Sequence, residues 1–354
     1  MNTAISRAAA YTYDLPRGKI AQRPCHPADA ARMLVANPET ETITDSCFKD
    51  VDEFLKAGDI LVFNNSRVIP ARLLGKQAGR EIEILLLEEN SPLIWRAIGR
   101  PLKKIKPGTE IDFSAGLSGR LKERLSEREI LIEFNIEGGA VAFKEWLNKK
   151  GLMPIPPYIR AGRSDNQDRS DYQTFFAEID GSAAAPTASL HFTPSLFEAI
   201  KKKGVEIEYV TLHVGPPSFL PLIEGPGNTL SMPGTERYYH DPDLLKRLIQ
   251  ASSSGRRIIA VGTTVVRTLE SMALNKGSEA GWRRTDLFIT PGYSFKVVRA
   301  LVTNFHQPGT SHLLLVQALT GLKLLDKLYK HALNSNYRFL SYGDGMFITS
   351  IFKG

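Results

Sequence analysis

Three of the seven histidines stand where a chain of this pattern would place chemistry. His191 closes AAAPTASLHF ahead of a helix cap, His213 ends the run VEIEYVTLHV, and His306 ends VRALVTNFH. Imidazole titrates near neutrality, so histidines converging on one crevice suit proton transfer; taken singly, each reads equally well as a hydrogen-bonded structural residue. Gly262-Thr263-Thr264 joins an apolar strand-like run to a helix start. Free amides and the helix dipole favour an anion there, and plain capping by the threonines is the alternative. Arg267, on the first turn, is placed to meet either an anion or Glu270. Basic residues gather at Arg96, Arg100, Lys103, Lys104 and Lys106 beside Trp95, a pattern that suits a phosphate backbone and also an ordinary exposed hairpin. Lys201 to Lys203 read as a helix end matched to its dipole.

The elements that must position these groups fall into two patterns. Short alternating runs at 60–63, 81–89, 93–98 and 129–136, punctuated by glycine and proline, predict a small β-barrel over residues 59–148. After residue 150 the pattern becomes helix and strand in alternation. Thr193-Pro194 and Asp241-Pro242 start helices, RIIAVG at 257–262 is a buried strand, and a long helix runs from about Ser311 to Leu333. A strand at Met33 to Asn37 and a helix near Val51 to Lys56 join this second set. The expected fold is therefore α/β: a larger domain of residues 1–58 and 149–354, with mostly parallel pairing, interrupted by the inserted barrel. Gly162 to Arg169 reads as an exposed polar loop. In α/β sheets ligands collect beyond the carboxyl ends of the strands, so segments ending at 191, 213, 262 and 306 are expected to meet around one cavity.

Composition narrows the class. The 354 residues are 42% hydrophobic and 23% charged with a net charge of +7, which fits a folded chain and permits a polyanionic partner. Cys25 and Cys47 lie in no disulfide or zinc-ligand pattern, so a reducing cytoplasm and no metal are expected. No signal segment opens the chain and no apolar run is long enough to span a bilayer. Phosphate-loop, zinc-protease, nucleophile-elbow and dinucleotide motifs are absent.

Ten ordered blocks then point to one family: YDLPRGKIAQRP, GDILVFNNSRVIPARL, GLMPIPPYIR, DYQTFFA, AAAPTASLHFT, LHVG, GTTVVRTLE, FITPGYSFKVV, TNFHQP and YRFLSYGDGM. The chain resembles the S-adenosylmethionine:tRNA ribosyltransferase-isomerases of queuosine biosynthesis from Tyr13 to its end. The resemblance implies an α/β domain with an inserted barrel. The implied reaction moves the ribosyl part of S-adenosylmethionine to 7-aminomethyl-7-deazaguanine in a tRNA anticodon, isomerises it, and releases adenine and methionine to leave epoxyqueuosine. S-adenosylmethionine is then a ribosyl-donating co-substrate, tRNA is bound at its anticodon stem-loop, no metal is needed, and a monomer is expected. On this reading His191 and His213 are candidates for proton transfer, and Thr263, Thr264 and Arg267 meet an anionic or polar ligand group. Tyr293, Lys296, Asn304 and His306 would wall the crevice, while Arg17, Thr187, Tyr342 and Asp344 match family blocks without a role. The alternative is a non-catalytic or substrate-altered RNA-binding member of the same fold.

The sequence departs from the family pattern at several points. Pro216, Pro217, Ser218 and Phe219 follow LHVG where Gly-Thr-Phe is usual, which removes a glycine's φ freedom. Met232-Pro233-Gly234-Thr235-Glu236 lacks a usual Met-His, and His240 lies too far along to replace it. Ser189, Arg299 and Gln307 stand for a glycine, an aspartate and a leucine.

Overall fold

A computed structural model describes residues 5–6, 11–102, 105–215, 218, 222–226, 229–232, 234–275, 277 and 279–352. The chain packs into two compact units, one of residues 1–66, 174–178 and 186–354, the other of residues 67–173 and 179–185.

The first unit is built on a seven-stranded mixed sheet. Its strands are β1 (Arg32–Asn37), β2 (Thr42–Cys47), β3 (Ile60–Asn64), β4 (Glu206–Val210), β5 (Ile258–Val261), β6 (Ala300–Asn304) and β7 (Gly345–Ile348), in the spatial order β4-β3-β5-β6-β7-β1-β2. Pairing is parallel from β4 through β6 and between β7 and β1, and antiparallel at β6–β7 and β1–β2. The run Ile60 to Phe63, read above as a barrel strand, is instead the second strand of this sheet. Every residue of β3, β5 and β6 is buried, because helices cover both faces; that continuous burial erases the alternation that would have separated β3 from a barrel strand.

One face packs Met33, Leu61, Phe63, Ile259, Val261 and Val302 against Phe48, Phe192, Phe197 and Ile200. Helix α1 (Pro194–Lys202) supplies the last two, and its N-cap Thr193 accepts a bond from the Leu196 amide at 3.2 Å, with proline at the first turn. The remaining helices are α2 (Pro242–Ser253), capped by Asp241, α3 (Thr263–Leu274) and α4 (Ser311–Asn334), which is kinked at Gly321. The expected helix near residue 51 is a 3-10 helix, Phe48–Phe54, and the expected strand 205–214 breaks after Val210. Leu212–His213 starts a separate antiparallel sheet with Glu236–His240 and Gly281–Thr285.

The second unit contains a closed six-stranded antiparallel barrel of Arg72–Gln77, Arg80–Ser91, Ile94–Arg100, Glu110–Asp112, Ser118–Arg124 and Glu129–Asn135. Alternate positions such as Leu73, Ile82, Ile84, Ala97, Leu121 and Ile132 fill its interior, and Phe143, Trp146 and Leu147 of the helix Gly139–Lys150 join that core. A Cβ at Gly75 would sit 2.7 Å from the Ile111 side chain and 2.8 Å from the Phe113 ring, so any side chain there would force these core groups to shift. The polar stretch after Gly162 is not uniformly exposed: Asp168 is fully buried and holds Arg160 at 2.5 Å and the Asp165 amide at 2.8 Å.

Candidate active site

Because β4, β3, β5 and β6 run parallel side by side, their carboxyl ends at Val210, Asn64, Val261 and Asn304 lie on one edge of the sheet. The segments predicted to converge begin there. Asn64 ties the edge together: its Oδ1 accepts from the Leu212 amide at 3.2 Å and the Ser66 amide at 3.1 Å, and its Nδ2 donates to the Leu212 carbonyl at 2.9 Å. That clamp explains why the 205–214 run breaks, since it turns the chain out of the large sheet immediately before His213.

His213 is half-buried, with Nδ1 2.8 Å from Ser66 Oγ and its ring stacked on Trp282 at 4.6 Å. The guanidinium of Arg237, opposite His213 in the small sheet, lies over the same indole at 4.9 Å. The imidazole is thus oriented by a hydroxyl at one nitrogen and by an aromatic face.

At the end of β6, Thr187 Oγ1 donates to Asn304 Oδ1 at 2.8 Å, and Asn304 Nδ2 donates to His191 Nε2 at 3.2 Å. His191 Nδ1–H is directed to the Ala28 carbonyl, and the ring stacks on Phe48 at 4.1 Å. Burial, aided by the positive charge of Arg338, pushes its pKa down to about 3. His191 is therefore neutral at ordinary pH with both nitrogens engaged, an arrangement that fixes Asn304 and Thr187.

His306 points its Nε2 at Thr303 Oγ1, 2.9 Å away, while its carbonyl accepts from Tyr13 and its amide donates to Tyr329 at 3.0 Å. It stacks on His312 at 5.2 Å, and burial holds its pKa well below the usual value. His312, near the start of α4, was missed by the sequence reading although it follows His306 by six positions. Burial and the Arg267 charge push its pKa down to about 4.

Arg267 does not pair with Glu270. It forms a buried ion pair with Glu236 and donates Nε–H to the Leu287 carbonyl at 3.2 Å. Glu236 also accepts from the Gly215 amide at 2.9 Å and Ser218 Oγ at 2.7 Å, so it binds α3 to the segment that follows His213. Glu270 is occupied elsewhere: Tyr293 hydroxyl and the amides of Lys296, Val297 and Val298 reach it at 3.1, 2.8, 3.0 and 3.0 Å. Tyr293 and the Lys296 main chain accordingly serve to anchor their loop on α3, and burial with the Glu270 charge raises the Tyr293 phenol far above its usual range.

Between these clusters Gly262, at φ +99°, turns β5 into α3 in a conformation that a Cβ would strain. Asp344 accepts from the amides of Arg32 and Arg338 at 3.1 and 2.8 Å, which fixes the approach to β7; Tyr342 is buried and Arg17 is exposed. In the barrel unit, Arg96 reaches Glu129 at 2.5 Å and Arg100 reaches Glu83 at 2.9 Å, so acidic neighbours neutralise both. Lys106 is exposed, and Lys103 and Lys104 lie outside the described residues.

Of the departures, Pro216, Pro217, Phe219 and Pro233 also lie outside them. His240 Nε2–H donates to the Gly277 carbonyl, 2.9 Å away, and Arg299 caps the carbonyls of its own loop. Among the described residues no group of three His, Cys, Asp or Glu is arranged to hold a metal ion, and no helix is long and apolar enough to cross a membrane.

A largely parallel sheet with helices on both faces, polar side chains clustered at its carboxyl edge and a separately folded barrel together define an α/β enzyme with an appended barrel unit. The chain belongs to the queuosine biosynthesis protein family, whose sequence model matches residues 8–348. Relatives named S-adenosylmethionine:tRNA ribosyltransferase-isomerase include one from Desulfitobacterium hafniense, 44% identical over 344 residues, covering 96% of this chain and 98% of the relative. Another, from Magnetococcus marinus, is 44% identical over 343 residues, covering 96% and 93%. The crystal structure of an S-adenosylmethionine tRNA ribosyltransferase from Thermotoga maritima is 35% identical, covers 95% of this chain and 99% of that one, and superposes with a TM-score of 0.53.

Proposed function

We propose that the chain is a transferase-isomerase of queuosine biosynthesis that uses S-adenosylmethionine and tRNA as substrates. It moves the ribosyl moiety of the sulfonium onto 7-aminomethyl-7-deazaguanine in tRNA, giving epoxyqueuosine and releasing adenine and methionine. The observation that carries this reading is the convergence of Asn64, His213, Gly262–Thr264 and Asn304 on one sheet edge in a chain so similar, over nearly its whole length, to relatives of that name.

The chemistry suits such an edge. A sulfonium acidifies the neighbouring C5′ protons and departs as neutral methionine, so the protein must supply a base, hold the nucleoside, and keep water away. His213, oriented by Ser66 and Trp282, is assigned the proton transfer. His191 acts behind Asn304 and Thr187, which with His306 line the nucleoside side. Arg17, Tyr342, Asp344, Tyr293 and Lys296 shape the edge and its approaches. The anticodon stem-loop is the tRNA element engaged, with Lys103, Lys104 and Lys106 as its main phosphate contacts, while Arg96 and Arg100, held by Glu129 and Glu83, add little. The protein works as a cytoplasmic monomer without a metal.

Incubation with S-adenosylmethionine and tRNA carrying the aminomethyl-deazaguanine should release adenine and methionine in equal amounts. Saturating substrates with no adenine released would overturn the assignment.

A further inference from the structure

The start of α3 has the features of an unfilled anion site. Gly262, its N-cap, has no side chain with which to cap, so the Thr263 and Thr264 amides have no acceptor among the described residues. Thr264 is 6% exposed, yet its Oγ1 has no hydrogen-bond partner among the described residues, and it lies 3.5 Å from the point a Gly262 Cβ would occupy, which turns it back over the junction with β5. One turn along, Arg267 is 3% exposed and its Nη2 is also without a partner among the described residues, although its Nη1 is held by Glu236. A buried donor without an acceptor is destabilising, and an occupant able to accept from the amides and the Thr264 hydroxyl would relieve that cost. Two amides and a buried hydroxyl at the positive end of a helix describe a receptor for a small, flat anion.

We infer that this junction binds the α-carboxylate of the methionyl group of S-adenosylmethionine, with Thr264 as the residue that recognises it. The assignment rests on the proposed function. A tRNA phosphate offers the same chemistry, but Thr263 and Thr264 are each only 6% exposed, which favours a group carried in by a small molecule over one on a bulky stem.

Binding of S-adenosylmethionine and of its decarboxylated analogue, measured by calorimetry, separates the possibilities. The parent protein should prefer the carboxylated ligand by about 30-fold or more; Thr264→Val should cut that preference by about tenfold with the analogue's affinity unchanged, and Thr264→Ser should restore it. Equal affinities in the parent, or an unchanged preference in Thr264→Val, would overturn the inference. So would a Thr264→Val effect seen only on tRNA affinity, which would assign the site to a phosphate. A parent protein that binds neither sulfonium fails the functional reading itself, a result distinct from binding both equally.

Discussion

Replacing Glu236 by glutamine isolates one charge at the centre of the site. The glutamine oxygen still accepts from the Gly215 amide and Ser218 hydroxyl, now at 2.9 and 2.7 Å, so the shape and two of the hydrogen bonds survive. What is lost is the negative charge against Arg267, in a place where the two side chains are 0% and 4% exposed. Leaving a buried guanidinium uncompensated costs about 3–5 kcal/mol, because its desolvation is no longer offset by the carboxylate. At roughly 2–4 °C per kcal/mol for a unit of this size, thermal unfolding of Glu236→Gln should fall by about 10 °C. The double variant Glu236→Gln/Arg267→Met removes the orphaned charge and should recover a large part of that loss. Scanning calorimetry on the parent, both single variants and the double variant gives the coupling directly. A melting point for Glu236→Gln within about 2 °C of the parent, or losses that simply add in the double variant, would refute the claim that this pair holds α3 to the segment after His213.

Acid should destabilise the first unit earlier than carboxylate titration alone would. His191 and His312 are held near 3 and 4 in the folded chain against 6.5 when unfolded, so their contribution is fully present above pH 6.5 and is lost as pH falls toward the folded values. Urea unfolding should show a drop on the order of 2 kcal/mol per histidine between pH 7 and pH 5, and His191→Gln should lack its share; a flat profile over that range would contradict the burial argument. For the barrel, Lys103→Gln/Lys104→Gln/Lys106→Gln should reduce the slope of log affinity for tRNA against log salt by roughly 2, whereas Arg96→Gln/Arg100→Gln, already paired with Glu129 and Glu83, should change it by less than about 1. Equal changes for the two sets would show that those ion pairs open on binding.

Much of the architecture was legible because its signals are local. Thr193-Pro194 and Asp241-Pro242 start helices for reasons contained in a few residues, and the barrel announces itself by alternation and turns. Ile60 to Phe63 misled because a strand covered on both faces has no alternation to read. The histidines and the Gly262 turn were found because strand ends are where α/β proteins place ligands. The partners were not: Arg267 pairs with Glu236 across 31 positions, and Asn64 holds Leu212 across 148, separations over which sequence spacing carries no information. Trp282 and Ser66 were invisible for the same reason, since only the return of the small sheet brings the indole against His213. The basic run in the barrel reads as free positive charge until the cross-strand glutamates are seen beside its arginines.

The central claim is that the sulfonium nucleoside is held at the carboxyl edge of β4, β3, β5 and β6. Hydrogen–deuterium exchange with and without S-adenosylmethionine tests it most directly. Saturation should slow exchange in 212–215, 262–267 and 304–312 and leave the barrel strands unchanged. Protection confined to the barrel, or absent from all three segments in a sample that still releases adenine, would contradict it.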